Sequence, residues 1–583
     1  MLFPQANPYR QLVDLSGFWE LRFDPDDQGE QAGWGNGFSD SQPVAVPASW
    51  NDQFAEWRDY LGPTWYQTRF DLPWGWEPPQ KQLTVRFGSV NYLAKVWLNG
   101  RYLGEHEGGH LPFAFAISQH VQPENNLLVV RVEGILAPDR VPPGNPPRDA
   151  RHMFMNQSQN FPPASFDFFP FCGIQRPVLL TATAATAVTD LTVTTKLPGQ
   201  VQVQAKLTQA VATTVRFSVG GTSVQAETPV EGDTAECSFI ITDAILWSPE
   251  TPHLYDLTVE VVQDGAVTDR YTLPIGIREI KVEGDALLLN GRPIYLTGFG
   301  RHIDFPVTGR GFVPAVIVKD YALMKWIGAN SFRTTHYPYS EEMMRLADRL
   351  GFLVIDETPA VGLFFAKKGL KRRLQLCRQY VEELISRDKN HPSVIMWSIA
   401  NEPHSSPATA VPFLRNLYDL CKELDPMRPV TLTTYRGVDE ESFAFCDVMS
   451  LNRYAGWYSE SGRLDEGVAS LTDEIDAMYA KFKKPLILSE FGADTVAGHH
   501  AHPPEMFSEE YQAAILEQYI DVLRRKPFVV GEHVWNMCDF KTSQGVLRVG
   551  AMNLKGVFTR DRRPKLAAHR LRALWRADAG SNH

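Results

Sequence analysis

The chain has 583 residues, 44% of them apolar and 21% charged, with a formal net charge of −11 at pH 7. That length exceeds a single hydrophobic core and indicates roughly two to five domains. The acidic balance argues against a nucleic-acid or anionic-membrane partner, since both need a basic footprint. The six cysteines, Cys172, Cys237, Cys377, Cys421, Cys446 and Cys538, show no C-x-x-C spacing. This is the habit of a reduced compartment, not of a disulfide scaffold or a zinc site. The stretch MLFPQANPYRQLVDL has no basic segment followed by an apolar one, and no run approaches the roughly 18 apolar residues of a membrane span. The expected location is the cytoplasm.

Residues 1–181 read as all-β. Short β-branched and aromatic runs surround Asn99-Gly100, a two-residue hairpin signal, and PPGNPP at 142–147 reads as a loop. A jelly-roll β-sandwich fits this texture. Residues 182–275 alternate apolar and polar side chains in LTVTTKLPG and LYDLTVEVVQDGAVTDRYTL, with Asp264-Gly265 at a second hairpin. An immunoglobulin-like β-sandwich is expected there.

From 276 to 583 strands and helices alternate. The strand candidates are IYLTGFG, SFRTTHY, FLVIDET, VIMWSIA, PVTLTTY, VMSLNRY, PLILSEF and VVGEHVW. Helical spacing appears at Val316, Ile317, Met324 and Ile327, and SEEMMRLADRLG carries a capping serine and Gly351 at the far end. This pattern predicts a C-terminal (β/α)₈ TIM barrel, whose active site lies at the C-terminal ends of its strands.

Those ends are rich in chemistry: His302, Arg333 and His336, Asp356-Glu357, Asn401-Glu402, Asn452 and Tyr454, Glu490, and Trp535. A lone glutamate at a strand end is readily a structural ion-pair partner. Glu402 and Glu490, brought across one barrel mouth, are instead the minimal machinery of glycoside hydrolysis. One carboxyl protonates the leaving oxygen; the other attacks the anomeric carbon or activates water.

WSIANEP on strand four and LSEFGADT on strand seven resemble the motifs of glycoside hydrolase family 2. The resemblance extends through the three-domain order, and within the family it is greatest to the bacterial-type β-glucuronidases. It implies a retaining, exo-acting hydrolase that releases β-D-glucuronic acid, with Glu402 as general acid/base and Glu490 as nucleophile. It also implies that Asn401 holds the sugar 2-hydroxyl, and that Tyr454 and Arg333 orient Glu490 and keep it ionised. The implied partners are a small-molecule or oligosaccharide β-glucuronide and further copies of the chain, as dimer or tetramer.

Asn553-Leu554-Lys555, with Arg548 just before it, supplies an amide donor and positive charge suited to a sugar carboxylate. Arg560, Arg562, Arg563 and Lys565 read as a solvated basic loop. Asn452, Tyr454 and Tyr458 line the rim, Trp535 offers a floor for the sugar, and Asp167 of the first domain reaches sugar hydroxyls or holds a domain interface. His302 and His336 contact sugar or support residues that do. Ile303 and Ala455 depart from the family pattern at the rim, and TPAVGLFFAKKGLKRRLQ lacks the long aglycone-covering loop of some relatives. His499, His500 and His502 have no acid at a ligand spacing, so no metal and no cofactor is expected. The alternatives are a β-galacturonidase or β-galactosidase of the same family, or a catalytically silent carbohydrate-binding protein.

Overall fold

The computed structural model describes residues 1–76, 78, 81–144 and 160–579. The predicted loop at 142–147 therefore lies outside the described residues beyond Gly144. The first unit is a sandwich of two antiparallel sheets. One orders Gln42–Val46, Gly17–Phe23, Thr64–Phe70, Asn126–Glu133, Leu93–Leu98 and Arg101–Glu107; the other orders Gln11–Asp14, Val178–Thr183, Gln82–Phe87 and Phe113–Ala116. Trp50, Tyr66, Phe87 and Val130 fill the space between them. Asn99 and Gly100 turn the predicted hairpin with φ of 52° and 79°, the two positive values that a tight two-residue turn requires.

The second unit pairs a three-stranded sheet (Val188–Lys196, Gln200–Leu207, Thr234–Ile240) with a four-stranded one (Gln225–Val230, Thr213–Val219, Tyr255–Gln263, Ala266–Ile275). Gln200–Leu207 alternates exposed and buried residues along its whole length, as a strand with one wet face must.

The third unit is a closed barrel of eight parallel strands: β1 Leu296–Gly300, β2 Ser331–Arg333, β3 Leu353–Glu357, β4 Val394–Asn401, β5 Val430–Thr434, β6 Met449–Asn452, β7 Leu486–Glu490 and β8 Val529–Val534. All eight predicted strands are present. Every residue of β4 is buried, because helices cover one face and barrel side chains the other. The surrounding helices are α1 Pro314–Ile327, α2 Glu341–Leu350, α3 Leu370–Asp388, α4 Ala410–Leu424, α5 Leu464–Phe482, α6 Glu509–Arg524 and α7 Leu566–Ala579. The β5–β6 crossover departs from regular alternation. Its short span carries two 3₁₀ turns, Gly437–Asp439 and Glu441–Ala444, in place of an α-helix. Ser340 caps α2 by accepting the Met343 N–H, and Gly351 ends it at φ 71°.

Buried ion pairs and carbonyl contacts dock the units. Arg86 of the first sandwich donates to both oxygens of Glu341 on α2, at 2.8 and 2.7 Å. Arg10 donates to Asp269 of the second sandwich at 2.8 and 2.6 Å. Arg278 reaches the carbonyls of Pro392 and Val394, at the entry of β4. Such pairs gain little net stability over apolar contacts, but removing one partner strands a charge, so they fix one docking geometry.

Strand β1 packs too tightly at Gly298 for any side chain. A methyl there would lie 1.9 Å from the Ser331 carbonyl oxygen of β2. Gly298→Ala is expected to destabilise the barrel by about 3 kcal/mol or more, read as a lowered midpoint in chemical denaturation. An unchanged midpoint would contradict this packing.

Candidate active site

The end of β4 explains how a buried strand delivers an acid. Its register against β5 shifts between Ser398 and Asn401, and such a bulge re-aims the following side chains. Asn401 then donates its N–H to the Ala360 carbonyl, and Glu402 donates its N–H to the Thr433 carbonyl at 2.8 Å. Glu402 itself adopts φ 45°, the left-handed region. A non-glycine residue there costs on the order of 1 kcal/mol or more, which the flanking backbone bonds hold in place.

Glu490 ends β7, paired with Asn452 of β6 just past a register shift. One of its oxygens accepts from Arg333 Nη2 at 2.6 Å and the other from the Tyr454 hydroxyl at 2.7 Å. Arg333 Nη1 also donates to Glu357 at 2.7 Å and to Asn401 Oδ1 at 3.2 Å. Glu357 is further held by Ser398 at 2.8 Å and by His336 Nδ1 at 2.8 Å. Glu402 has a much poorer environment. Its hydrogen bond among the described residues is a neutral one, from Asn452 Nδ2 at 2.9 Å. Asn452 is oriented in turn by Ser489 Oγ at 3.0 Å.

These partners decide where charge and proton sit. Burial pushes the Glu490 carboxyl up to about 8, with Arg333 and Tyr454 pulling down against it and Glu402 pushing up. Burial likewise raises Glu402, opposed mainly by the Asn452 amide. Two carboxyls that share one cleft resist double ionisation. Charge-assisted donors hold Glu490, whereas Glu402 meets the neutral Asn452 amide. Burial lowers His336 despite Glu357, leaving its ring neutral near neutral pH.

A second cluster lies on the same rim. Asp167 sits on a first-domain loop stitched to the barrel by backbone bonds from Phe161 to Gln544 and from Phe169 to Lys541. Its oxygens accept from Arg548 at 2.7 and 2.8 Å and from Asn553 at 2.7 Å. Burial alone would raise Asp167, but Arg548, Asn553 and Lys555 outweigh it and hold the group below the usual carboxylate range. Lys555 is 1% exposed. Its Nζ donates to the Tyr458 hydroxyl at 2.8 Å and to Asp494, under the rings of Tyr454, Trp457 and Tyr458. Trp535 stacks on His336 at 5.0 Å and meets the edge of His302. It fits because Gly300 has no side chain: a Cβ there would lie 2.7 Å from the indole. Phe168 packs against His302 and His336 from the first domain, and His302 Nδ1 lies 3.0 Å from the Tyr337 hydroxyl.

The residues singled out from sequence are thus tied into this mouth by direct contacts. Asp494 and Trp457 were not among them, and Glu357 was named there without a role. Glu357 was visible as a strand-end acid, and Asp494 stands inside LSEFGADT, but neither spacing reveals an ion-pair partner. The basic segment after β8 is not a solvated loop. Arg560 bridges Asp52 and Asp304 at 2.6 and 2.8 Å, Arg562 pairs with Asp320 at 2.9 Å and Lys565 with Asp539 at 2.8 Å; Arg563 stays largely in water. Buried acids claim three of the four cations, a pairing invisible in a run of like charges. Of the rim departures, Ala455 is buried and Ile303 half-buried. Among the described residues no three His, Cys, Asp or Glu side chains group as metal ligands; His500 Nδ1 lies 2.8 Å from Glu510.

A barrel mouth that brings two carboxyls together, one held by a cation and the other by an amide, is that of a glycoside hydrolase. The chain belongs to glycosyl hydrolases family 2. The sugar binding domain of that family matches residues 12–184, the model described simply as glycosyl hydrolases family 2 matches 176–278, and the TIM barrel domain matches 280–578. The chain is 40% identical over 593 residues to a β-glucuronidase of Paenibacillus borealis, covering 99% of this chain and 98% of that one. It is 40% identical over 603 residues to the β-glucuronidase of Rattus norvegicus, covering 99% and 92%. The solved β-glucuronidase of Ruminococcus gnavus in complex with D-glucuronic acid aligns with TM-score 0.90 at 37% identity, covering 98% of this chain and 99% of that one.

Removing one donor to Glu490 should raise the cost of its charge. Tyr454→Phe is therefore expected to move the acid limb of the kcat/KM profile upward by about one pH unit and to lower kcat tenfold or more. A full pH–rate profile checks this; an unmoved acid limb would contradict the assignment of charge to Glu490.

Proposed function

We propose that the enzyme is a retaining, exo-acting β-glucuronidase that releases β-D-glucuronic acid by double displacement. In the first step Glu490 attacks the anomeric carbon while Glu402 gives its proton to the leaving oxygen. The bond to the aglycone breaks and a glycosyl ester forms on Glu490. That ester carries no charge, so the upward push on Glu402 weakens. Glu402 then accepts a proton from water, which attacks the anomeric carbon and frees Glu490. Asn401 bonds the 2-hydroxyl, and Arg333 and Tyr454 orient the nucleophile. Trp535, His302, His336 and Asn452 shape the sugar site, with Asp167 at its first-domain edge.

The observation that carries the choice of sugar is the donor cluster of Lys555, Arg548 and Asn553 on the same rim as the two carboxyls. An ammonium has three N–H donors, and Lys555 spends two on Tyr458 and Asp494. The third suits a sugar carboxylate. The named activity of the relatives supports the same reading. The functional units divide near residues 181 and 275, the chain works as a homo-oligomer, dimer or tetramer, and the cytoplasm is its place; no described helix is long and apolar enough to cross a membrane. The β3–α3 connection is short, Thr358 to Gly369, which favours an aglycone side open to bulky groups.

Initial rates on aryl β-glucuronide, β-galacturonide, β-galactoside and β-glucoside test this. The glucuronide is expected to react fastest, and Lys555→Ala to lower its kcat/KM about a hundredfold. Preference of the wild-type enzyme for a neutral sugar would overturn the assignment of Lys555 while sparing the two-carboxyl mechanism.

A further inference from the structure

Asp494 lies four residues beyond Glu490, on the loop that leaves β7, and it is 4% exposed. Its two oxygens do different work. Oδ1 accepts the backbone N–H of Leu554 at 2.8 Å. Oδ2 accepts from Lys555 Nζ and lies 3.7 Å from Arg548 Nη1. The two loops are stitched again by the Thr495 N–H on the Leu554 carbonyl at 3.0 Å. Lys565 Nζ then clamps the carbonyls of Thr495 and Leu554, at 2.9 and 3.0 Å.

A lysine side chain has four rotatable carbons and a point charge, so it does not aim itself. Here the ammonium is fixed by one carboxylate and one phenol. Two cations, Lys555 and Arg548, face two acids, Asp494 and Asp167, so their formal charges cancel before any sugar arrives. Recognition of an incoming carboxylate then depends on the direction of the remaining Lys555 N–H, not on surplus positive charge. Asp494 sets that direction twice, through the ammonium and through the backbone of the Asn553–Lys555 loop.

We propose that Asp494 is a positioning residue for sugar-acid selectivity, acting through Lys555 and Asn553 and tying their loop to the strand that carries the nucleophile. This rests on the uronate reading above. The experiment compares kcat/KM for aryl β-glucuronide and aryl β-glucoside in the wild-type enzyme, Asp494→Asn and Asp494→Glu, with thermal midpoints alongside. The expected result is a glucuronide-to-glucoside ratio ten- to a hundredfold lower in Asp494→Asn, expressed mainly in KM for the glucuronide, with partial recovery in Asp494→Glu. A role confined to folding would lower both substrates together. A ratio within threefold of wild type in both variants would overturn the proposal, as would a ratio that rises when the competing negative charge is removed. If Asp494→Asn does not fold, the ratio in Asp494→Ser decides by the same threshold, since it too removes the carboxylate that holds the ammonium. A wild-type ratio near one would instead overturn the uronate reading itself.

Discussion

The Arg333 guanidinium is the contact on which the site depends. It is buried at the end of β2 and donates to Glu357, Glu490 and Asn401 at once. Through them it links the ends of β2, β3, β4 and β7. With both acids ionised the group carries one net negative charge, so a further anion at Glu402 is disfavoured in the same cleft. The chemical difference between the two glutamates therefore starts from a residue that is neither of them. A planar fork suits this task, because it serves carboxylates on separate strands with directed bonds where an ammonium would give a diffuse charge.

The remaining architecture protects that arrangement. The barrel supplies rigid strand ends, and the register shift in β4 turns Glu402 into the cleft at a local backbone cost. The first sandwich completes the rim, since the loop through Phe166 and Phe169 places Asp167 against Arg548 and Asn553 and sets Phe168 beside both histidines. The Arg86–Glu341 pair and the Arg278 contacts hold the sandwiches against the barrel, and Arg10–Asp269 ties the two sandwiches together. Domain docking is thus part of the active-site geometry.

Much of this was legible in the sequence. The eight barrel strands stand out because strands buried on both faces are short apolar runs between turn signals. The two hairpins followed from Asn-Gly and Asp-Gly, whose residues accept positive φ. Glu402 and Glu490 were visible because polar residues at the ends of such runs need a reason. The pairings were not legible. Asp494 and Lys555 are 61 residues apart in sequence and meet only in the closed barrel. Arg560, Arg562 and Lys565 look like a wet basic segment until Asp304, Asp320, Asp52 and Asp539 come to meet them. The 3₁₀ crossover between β5 and β6 was hidden because a barrel repeat encourages the expectation of a helix there.

The central claim is that Glu490 bears the anion and forms the covalent bond while Glu402 keeps the proton. Incubation with a 2-deoxy-2-fluoro β-glucuronyl fluoride, which forms the glycosyl ester but hydrolyses it slowly, followed by mass spectrometry of the intact chain and its peptides, tests this directly. One added glycosyl unit on the peptide that contains Glu490 is the predicted result. An adduct on Glu402 or elsewhere, or turnover with inverted configuration and no adduct, would contradict the account.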